Sequence, residues 1–118
     1  MFEEREEQSV LYSILPVKNV ISKNETAIFT GEITNNAHDD YFLIEINNSN
    51  FLFESFSVQV AKNDTTVFVI HIKPNSSIED CKTYFLPLTI KSKNSGFYIV
   101  EKEEIAIFIS DDCHWRTY

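Results

Sequence analysis

Two cysteines are the residues of this chain whose placement points most directly to a defined chemistry. Cys81 stands at the start of one predicted β-strand, and Cys113 stands at the end of the next. If these strands pair as an antiparallel hairpin, their outer ends lie side by side, within the short Cα–Cα span that a disulfide needs. The spacing matches neither a Cys-x-x-Cys redox motif nor a zinc motif. We therefore predict a disulfide between Cys81 and Cys113, with two reduced thiols in a cytosolic domain as the alternative.

Four asparagines occupy Asn-x-Ser/Thr sequons, the acceptor sites of N-linked glycans. They are Asn24, Asn47, Asn63 and Asn75. All four fall in predicted turns, where a glycan can be accommodated. Polar turns are also rich in Asn, Ser and Thr for purely structural reasons, so both interpretations stay open.

Two clusters of histidine and aspartate carry side chains of the kind that bind cations. The first is His38 with Asp39 and Asp40, and the second is Asp111 and Asp112 with His114. Neither has the spacing of a calcium loop, and each is short of ligands, so we predict solvated loops, no metal and no cofactor. The sequence has no glycine-rich phosphate loop, no Gly-x-Ser-x-Gly elbow and no His-Glu-x-x-His motif. We therefore predict no catalytic residue and no enzymatic activity.

The overall composition restricts the class of partner. The chain has 118 residues, enough for one domain with its own core, and a net charge of −8. Because nucleic-acid binding requires positive charge, we predict no nucleic-acid partner. No apolar run approaches the length of a transmembrane helix, so we also predict no direct membrane span.

Short runs of alternating apolar and polar residues predict an all-β fold. The clearest inward-facing positions are Phe42, Ile44, Ile46, Phe68, Ile70, Ile72, Tyr84, Leu86, Leu88 and Ile90. Pro16 is expected to end the first strand at Leu15, where the chain would switch sheets. Pro87 conflicts with its strand and implies either a bulge or an unpaired flank. We expect an acidic arm over residues 1–9, a sandwich over 10–110 and a tail or junction over 111–118.

Several residues are candidates for protein contacts. Trp115, Arg116 and Tyr118 belong to the residue types enriched in binding hot spots, and they follow the last predicted strand. Tyr41 and Leu43 place apolar groups on the outward face of their strand, which favours an interface there. The expected partners are neighbouring domains or subunits, including further copies of this chain, and glycans. The segment 2–15 could also leave its own sandwich and complete the edge of a neighbour.

Four segments resemble one family of secreted modules. They are the stretches 20–29, 32–36, 60–74 and 81–90, which combine polar turns, alternating strands and a proline close behind a strand or a tyrosine. They are similar to the immunoglobulin-like domains of archaeal and bacterial cell-surface proteins, including CARDB-like adhesion domains. The resemblance implies an immunoglobulin-like antiparallel β-sandwich of seven or eight strands. Intracellular domains of the major sperm protein kind share much of this pattern.

These observations lead to one functional expectation and two alternatives. We expect a non-catalytic structural or adhesion module of a cell-surface or secreted glycoprotein, which acts as a spacer or assembly unit in a filament or surface layer. Such a location requires that these residues belong to a longer exported chain. The alternatives are a cytoplasmic scaffold domain of the major sperm protein kind and a carbohydrate-binding module of a secreted enzyme.

Overall fold

The computed structural model of the protein describes residues 9–111 and Cys113. Within this part the chain forms nine β-strands joined by short loops. In chain order they are β1 (Val10–Lys18), β2 (Val20–Ile21), β3 (Ala27–Asn35), β4 (Asp40–Ile46), β5 (Phe51–Leu52), β6 (Phe56–Val60), β7 (Asp64–Pro74), β8 (Lys82–Ser92) and β9 (Tyr98–Ile109). The number exceeds the expected seven or eight because β2 and β5 are strands of only two residues each.

The strands form two sheets that face each other. One sheet has four strands in the order β1-β3-β7-β5, and the other has five in the order β2-β9-β8-β4-β6. Adjacent strands run antiparallel, except that β2 runs parallel to β9. The arrangement is a two-layer sandwich. The chain crosses from one sheet to the other several times, so the core is built from residues far apart in sequence.

The core follows the predicted alternation. Phe42, Ile44, Ile70 and Ile72 are almost completely buried, and so are the inward residues of β8. They belong to one hydrophobic cluster that draws on both sheets. Burial of this apolar area is the main force that holds the two layers together.

The chain changes sheets three residues later than Pro16 predicts. Strand β1 continues through Pro16 to Lys18, with a register shift between these two residues, and Asn19 separates it from β2. The prediction that Pro16 ends the strand is therefore wrong, because β1 is an edge strand and its outer flank needs no ladder hydrogen bond. The described part of the proposed exchange arm, from Val10 onward, pairs with β3 of its own chain.

Pro87 lies where one neighbouring strand has ended. Pairing to β9 is continuous through Pro87 opposite Glu104, whereas pairing to β4 ends at Leu88. The flank toward β4 is therefore unpaired at Pro87, which accommodates a residue without an N–H group. Of the two expected explanations, the structure supports the unpaired flank.

A tight turn around Asn94-Ser95-Gly96 joins β8 to β9. A single 3-10 turn covers Lys93–Ser95, and Gly96 follows in the left-handed region with φ of 80°. Phe97 is also left-handed, with φ of 65°, so β9 begins only at Tyr98. A left-handed aromatic residue is uncommon, and nothing in its sequence signals it.

Candidate functional site

The disulfide closes the end of the hairpin, as predicted. Cys81 and Cys113 are bonded, and their Cα atoms lie 5.1 Å apart. The last paired residues of the hairpin are Lys82 and Ile109, so both cysteines lie just outside the ladder. The bond links positions 32 residues apart and stabilises the fold by about 4 kcal/mol in the chain-entropy model.

Two hydrogen bonds and an ion pair hold the loop after β2 against this end. The Ser110 N–H donates to the Ile21 carbonyl at 2.8 Å, which continues the ladder of β2 with β9. The carboxylate of Asp111 accepts from the Lys23 N–H at 3.1 Å, and the Lys23 ammonium lies 2.9 Å from Asp80. Three segments therefore meet here: the loop after β2, the residues before Cys81 and the residues after β9. We call this region the disulfide end.

The four sequon asparagines differ in accessibility. Asn24, Asn47 and Asn63 are exposed, whereas Asn75 is partly buried. The Asn75 amide donates to the Ser49 carbonyl, and its side-chain oxygen accepts from the Ser77 N–H at 2.8 Å. Asn24 and Asn75 line one open hollow of about 380 Å³ at the disulfide end. Three sequons thus present their side chains to solvent, and the fourth is used in a loop contact.

A network of buried polar side chains closes the opposite end of the sandwich, and the sequence reasoning missed it. Asp40 is buried, and its carboxylate accepts from the Ser92 hydroxyl and from the N–H groups of Tyr41 at 2.7 Å and Asn94 at 3.0 Å. Asn35 is fully buried and bonds to the carbonyls of His38 and Val60. Buried polar groups with all partners satisfied fix loop geometry without a large cost.

This network corrects the expectation of a solvated loop at Asp40, whereas His38 and Asp39 are exposed. Asp40 is a structural carboxylate, and Asp39 accepts from the Lys62 N–H at 2.8 Å. Among the described residues, no group of three His, Cys, Asp or Glu side chains lies close enough together to hold a metal ion. In the second cluster, Asp112 and His114 lie outside the described residues.

The interface candidates on β4 are less prominent than predicted. The Lys93 ammonium lies 5.0 Å from the centre of the Tyr41 ring, and Leu43 is only partly exposed. Beside Leu43, Lys91 and Glu45 form an ion pair of 2.9 Å. This part of the five-stranded sheet is therefore largely polar. The other candidates, Trp115, Arg116 and Tyr118, lie outside the described residues.

The chain matches no known family and no curated protein in sequence. Several solved structures share its architecture, among them the following two. The FixG-related protein from Vibrio parahaemolyticus is 10% identical with a TM-score of 0.69, and the match covers 89% of this chain and 99% of that one. A CARDB domain from Pyrococcus furiosus, in complex with di-metal ions, is 12% identical with a TM-score of 0.58, covering 86% and 92%.

The fold is an immunoglobulin-like β-sandwich. At 10% and 12% identity these neighbours establish the fold alone. The first strand is divided between the two sheets, with β1 in one and β2 in the other, so this part of the chain contributes to both layers. No helix in the described part is long and apolar enough to cross a membrane.

Two acidic residues lie on the part of β9 that pairs with β8 and not with β2. Glu101 and Glu103 lie opposite Ile90 and Leu88, so they share the inward-facing side of β9 with core residues. Burial raises the pKa of Glu101, and a hydrogen bond and the charge of Glu103 raise it further. On β1, in the other sheet, the pKa of Tyr12 is raised to about 12. Burial is the largest cause, and the charge of Glu101 is the second. Inward-pointing carboxylates of this kind discourage pairing with a foreign strand.

Two of the exposed aromatic residues, Tyr41 and Phe85, do not form one platform. Tyr41 and Phe85 both face outward on the five-stranded sheet, but Tyr41 lies at the end closed by Asp40. Since Leu43 pairs with Lys91, Tyr41 is level with Lys93, eight residues along from Phe85. At about 3.3 Å per strand residue, this spacing separates the two rings by roughly 26 Å. A single sugar ring cannot contact both.

Proposed function

We propose that this chain is a non-catalytic structural module of a cell-surface or secreted glycoprotein, acting as a spacer or assembly unit within a longer exported chain. The observation that carries the proposal is the disulfide between Cys81 and Cys113. Structural disulfides form and persist in oxidising compartments, outside the reducing cytosol. A cytosolic scaffold of the major sperm protein kind would not keep this bond.

The exposed sequons support the same location. Asn24, Asn47 and Asn63 present accessible side chains in loops, which an N-glycan requires. None of them lies within the hydrophobic core cluster, so a glycan at these sites leaves the packing intact. Glycans on a surface module also add solubility to a domain that is already acidic.

The dense strand ladder supports a mechanical role. Strands β3, β7 and β8 each pair along most of their length, and the disulfide locks one end of the hairpin. A spacer needs resistance to local opening more than a shaped pocket. The carbohydrate-binding alternative has weaker support, because the exposed aromatics Tyr41 and Phe85 are too far apart to bind one sugar.

Surface labelling of intact producing cells tests this proposal. A membrane-impermeant amine reagent should label exposed lysines such as Lys62 and Lys93 without lysis. A cytosolic protein in the same sample serves as the negative control and should be labelled only after lysis. If this chain is labelled only after lysis as well, the surface location is wrong and the intracellular scaffold is favoured.

A further inference from the structure

An exposed apolar surface covers the outer side of the four-stranded sheet. The register places Leu15 beside Thr30 and Thr30 beside Val69. Val67 lies in the next row, opposite Glu32, and Leu11 lies one row further, opposite Thr34. We call this surface the outer apolar face. Its main apolar side chains are strongly exposed: Leu11 46%, Leu15 61%, Val67 64% and Val69 47%.

Exposed apolar side chains on strands of one sheet indicate a contact site for a partner. Single exposed apolar residues are ordinary, but contiguous patches on soluble domains mark contact sites. A hollow of about 120 Å³ lies on this face between Leu15 and Val67, and it can take an aliphatic side chain. We propose that the outer apolar face is the contact surface between two copies of this chain.

Charge favours a second copy at this surface. The protein carries a net charge of −8, so most approaches between two copies are repulsive. Among the residues that the register places on this face from Leu11 to His71, Glu32 is the one acidic residue. The face therefore adds little to the repulsion between copies.

The positions of Glu32 and His71 fit a two-fold arrangement. Consider an axis that lies across the strands along the row of Leu15, Thr30 and Val69. It places the row of Glu32 and Val67 over the row of His71 in the other copy, because these rows lie on either side of the axis. The His71 of the other copy then lies over Val67, one strand away from Glu32, and the same arrangement recurs by symmetry.

The size of the face indicates a weak dimer. Three strands at about 4.8 Å spacing and the seven β3 residues that overlap about this axis, 27–33, at about 3.3 Å rise give a footprint of about 330 Å² per copy. Standard stable interfaces bury about 800 Å² per partner, so this contact belongs to the concentration-dependent class. The inference does not depend on the surface location proposed above.

Sedimentation equilibrium between about 10 µM and 1 mM tests the inference, with Val67→Lys as the main variant. The wild type should show a reversible monomer–dimer equilibrium. Because the side chain is buried twice in a symmetric dimer, Val67→Lys should raise the dissociation constant by about tenfold or more. The change lowers the net negative charge, so weaker association cannot come from general repulsion.

Val20→Lys is the matched control, since Val20 is 57% exposed on the other sheet. It should leave the dissociation constant within about twofold. If Val67→Lys unfolds, Leu15→Lys replaces it. A wild type that stays monomeric throughout, or an equal effect of Val20→Lys and Val67→Lys, would overturn the inference.

Discussion

Gly31 lies directly opposite Phe68 in the pairing of β3 with β7, and the Phe68 ring covers it. A Cβ atom at position 31 would lie 2.2 Å from Cζ and 2.3 Å from Cε2 of that ring. Ordinary carbon contacts are about 3.5–4.0 Å, so Gly31→Ala requires the ring to move by more than about 1 Å. Phe68 is buried and packs against Phe56 at 5.9 Å between ring centres, which restricts that movement.

We expect Gly31→Ala to lower the free energy of unfolding by about 3 kcal/mol, the upper part of the usual range for overpacking. Gly96→Ala is the matched control, because nothing lies within 4 Å of its added Cβ. Its cost comes only from the left-handed backbone, and we expect about 1 kcal/mol. Both values can be measured by urea unfolding followed by circular dichroism.

A double-mutant cycle identifies the Phe68 ring as the cause. Phe68→Leu shortens the side chain over Gly31, so the double variant should be more stable than the sum of the two single effects, by about 1 kcal/mol or more. Equal costs for Gly31→Ala and Gly96→Ala, or strictly additive effects with Phe68→Leu, would refute the packing described here.

Two further predictions concern the polar side chains. Asp40→Ala should cost about 2–4 kcal/mol in urea unfolding, because it removes the acceptor for the buried Ser92 hydroxyl and for two partly buried N–H groups, whereas Asp39→Ala should cost less than about 1 kcal/mol; equal costs would contradict the buried network. For Glu101, a folded-state pKa above its usual value of 4.5 means that the folded protein binds the proton more tightly than the unfolded chain. Stability should therefore fall as pH rises through this raised pKa, and Glu101→Gln should be more stable than wild type at pH 7 and lose this part of the pH dependence. Glu104→Gln is the control, and an equal gain there would argue against a specific effect at Glu101.

The layers and the core could be predicted from the sequence because period-2 alternation is a strong local signal. Inward positions such as Phe42, Ile70 and Leu86 are buried as expected. The disulfide could be predicted for a related reason, since hairpin pairing brings the ends of consecutive strands together.

The errors arise where a residue's role depends on which strand lies beside it. Pro16 is compatible with a strand because β1 is at an edge, and the local sequence does not reveal edges. Asp40 looks like a loop residue, but donors 52 and 54 residues away, on Ser92 and Asn94, satisfy its carboxylate. The outer apolar face is not among the predicted interfaces, although β7 is apolar on both sides at Val67 and Val69, the same pattern that predicts an interface at Tyr41 and Leu43.

The bond between Cys81 and Cys113 supports both the stapled sandwich and the proposed oxidising location. Its state can be measured on protein isolated from the producing cells after immediate alkylation of free thiols, with intact mass determined before and after reduction. We predict no alkylation without reduction, and a mass gain of about 2 Da when the bond is reduced. Alkylation of both cysteines in the unreduced native protein would contradict the stapled sandwich and the oxidising location together.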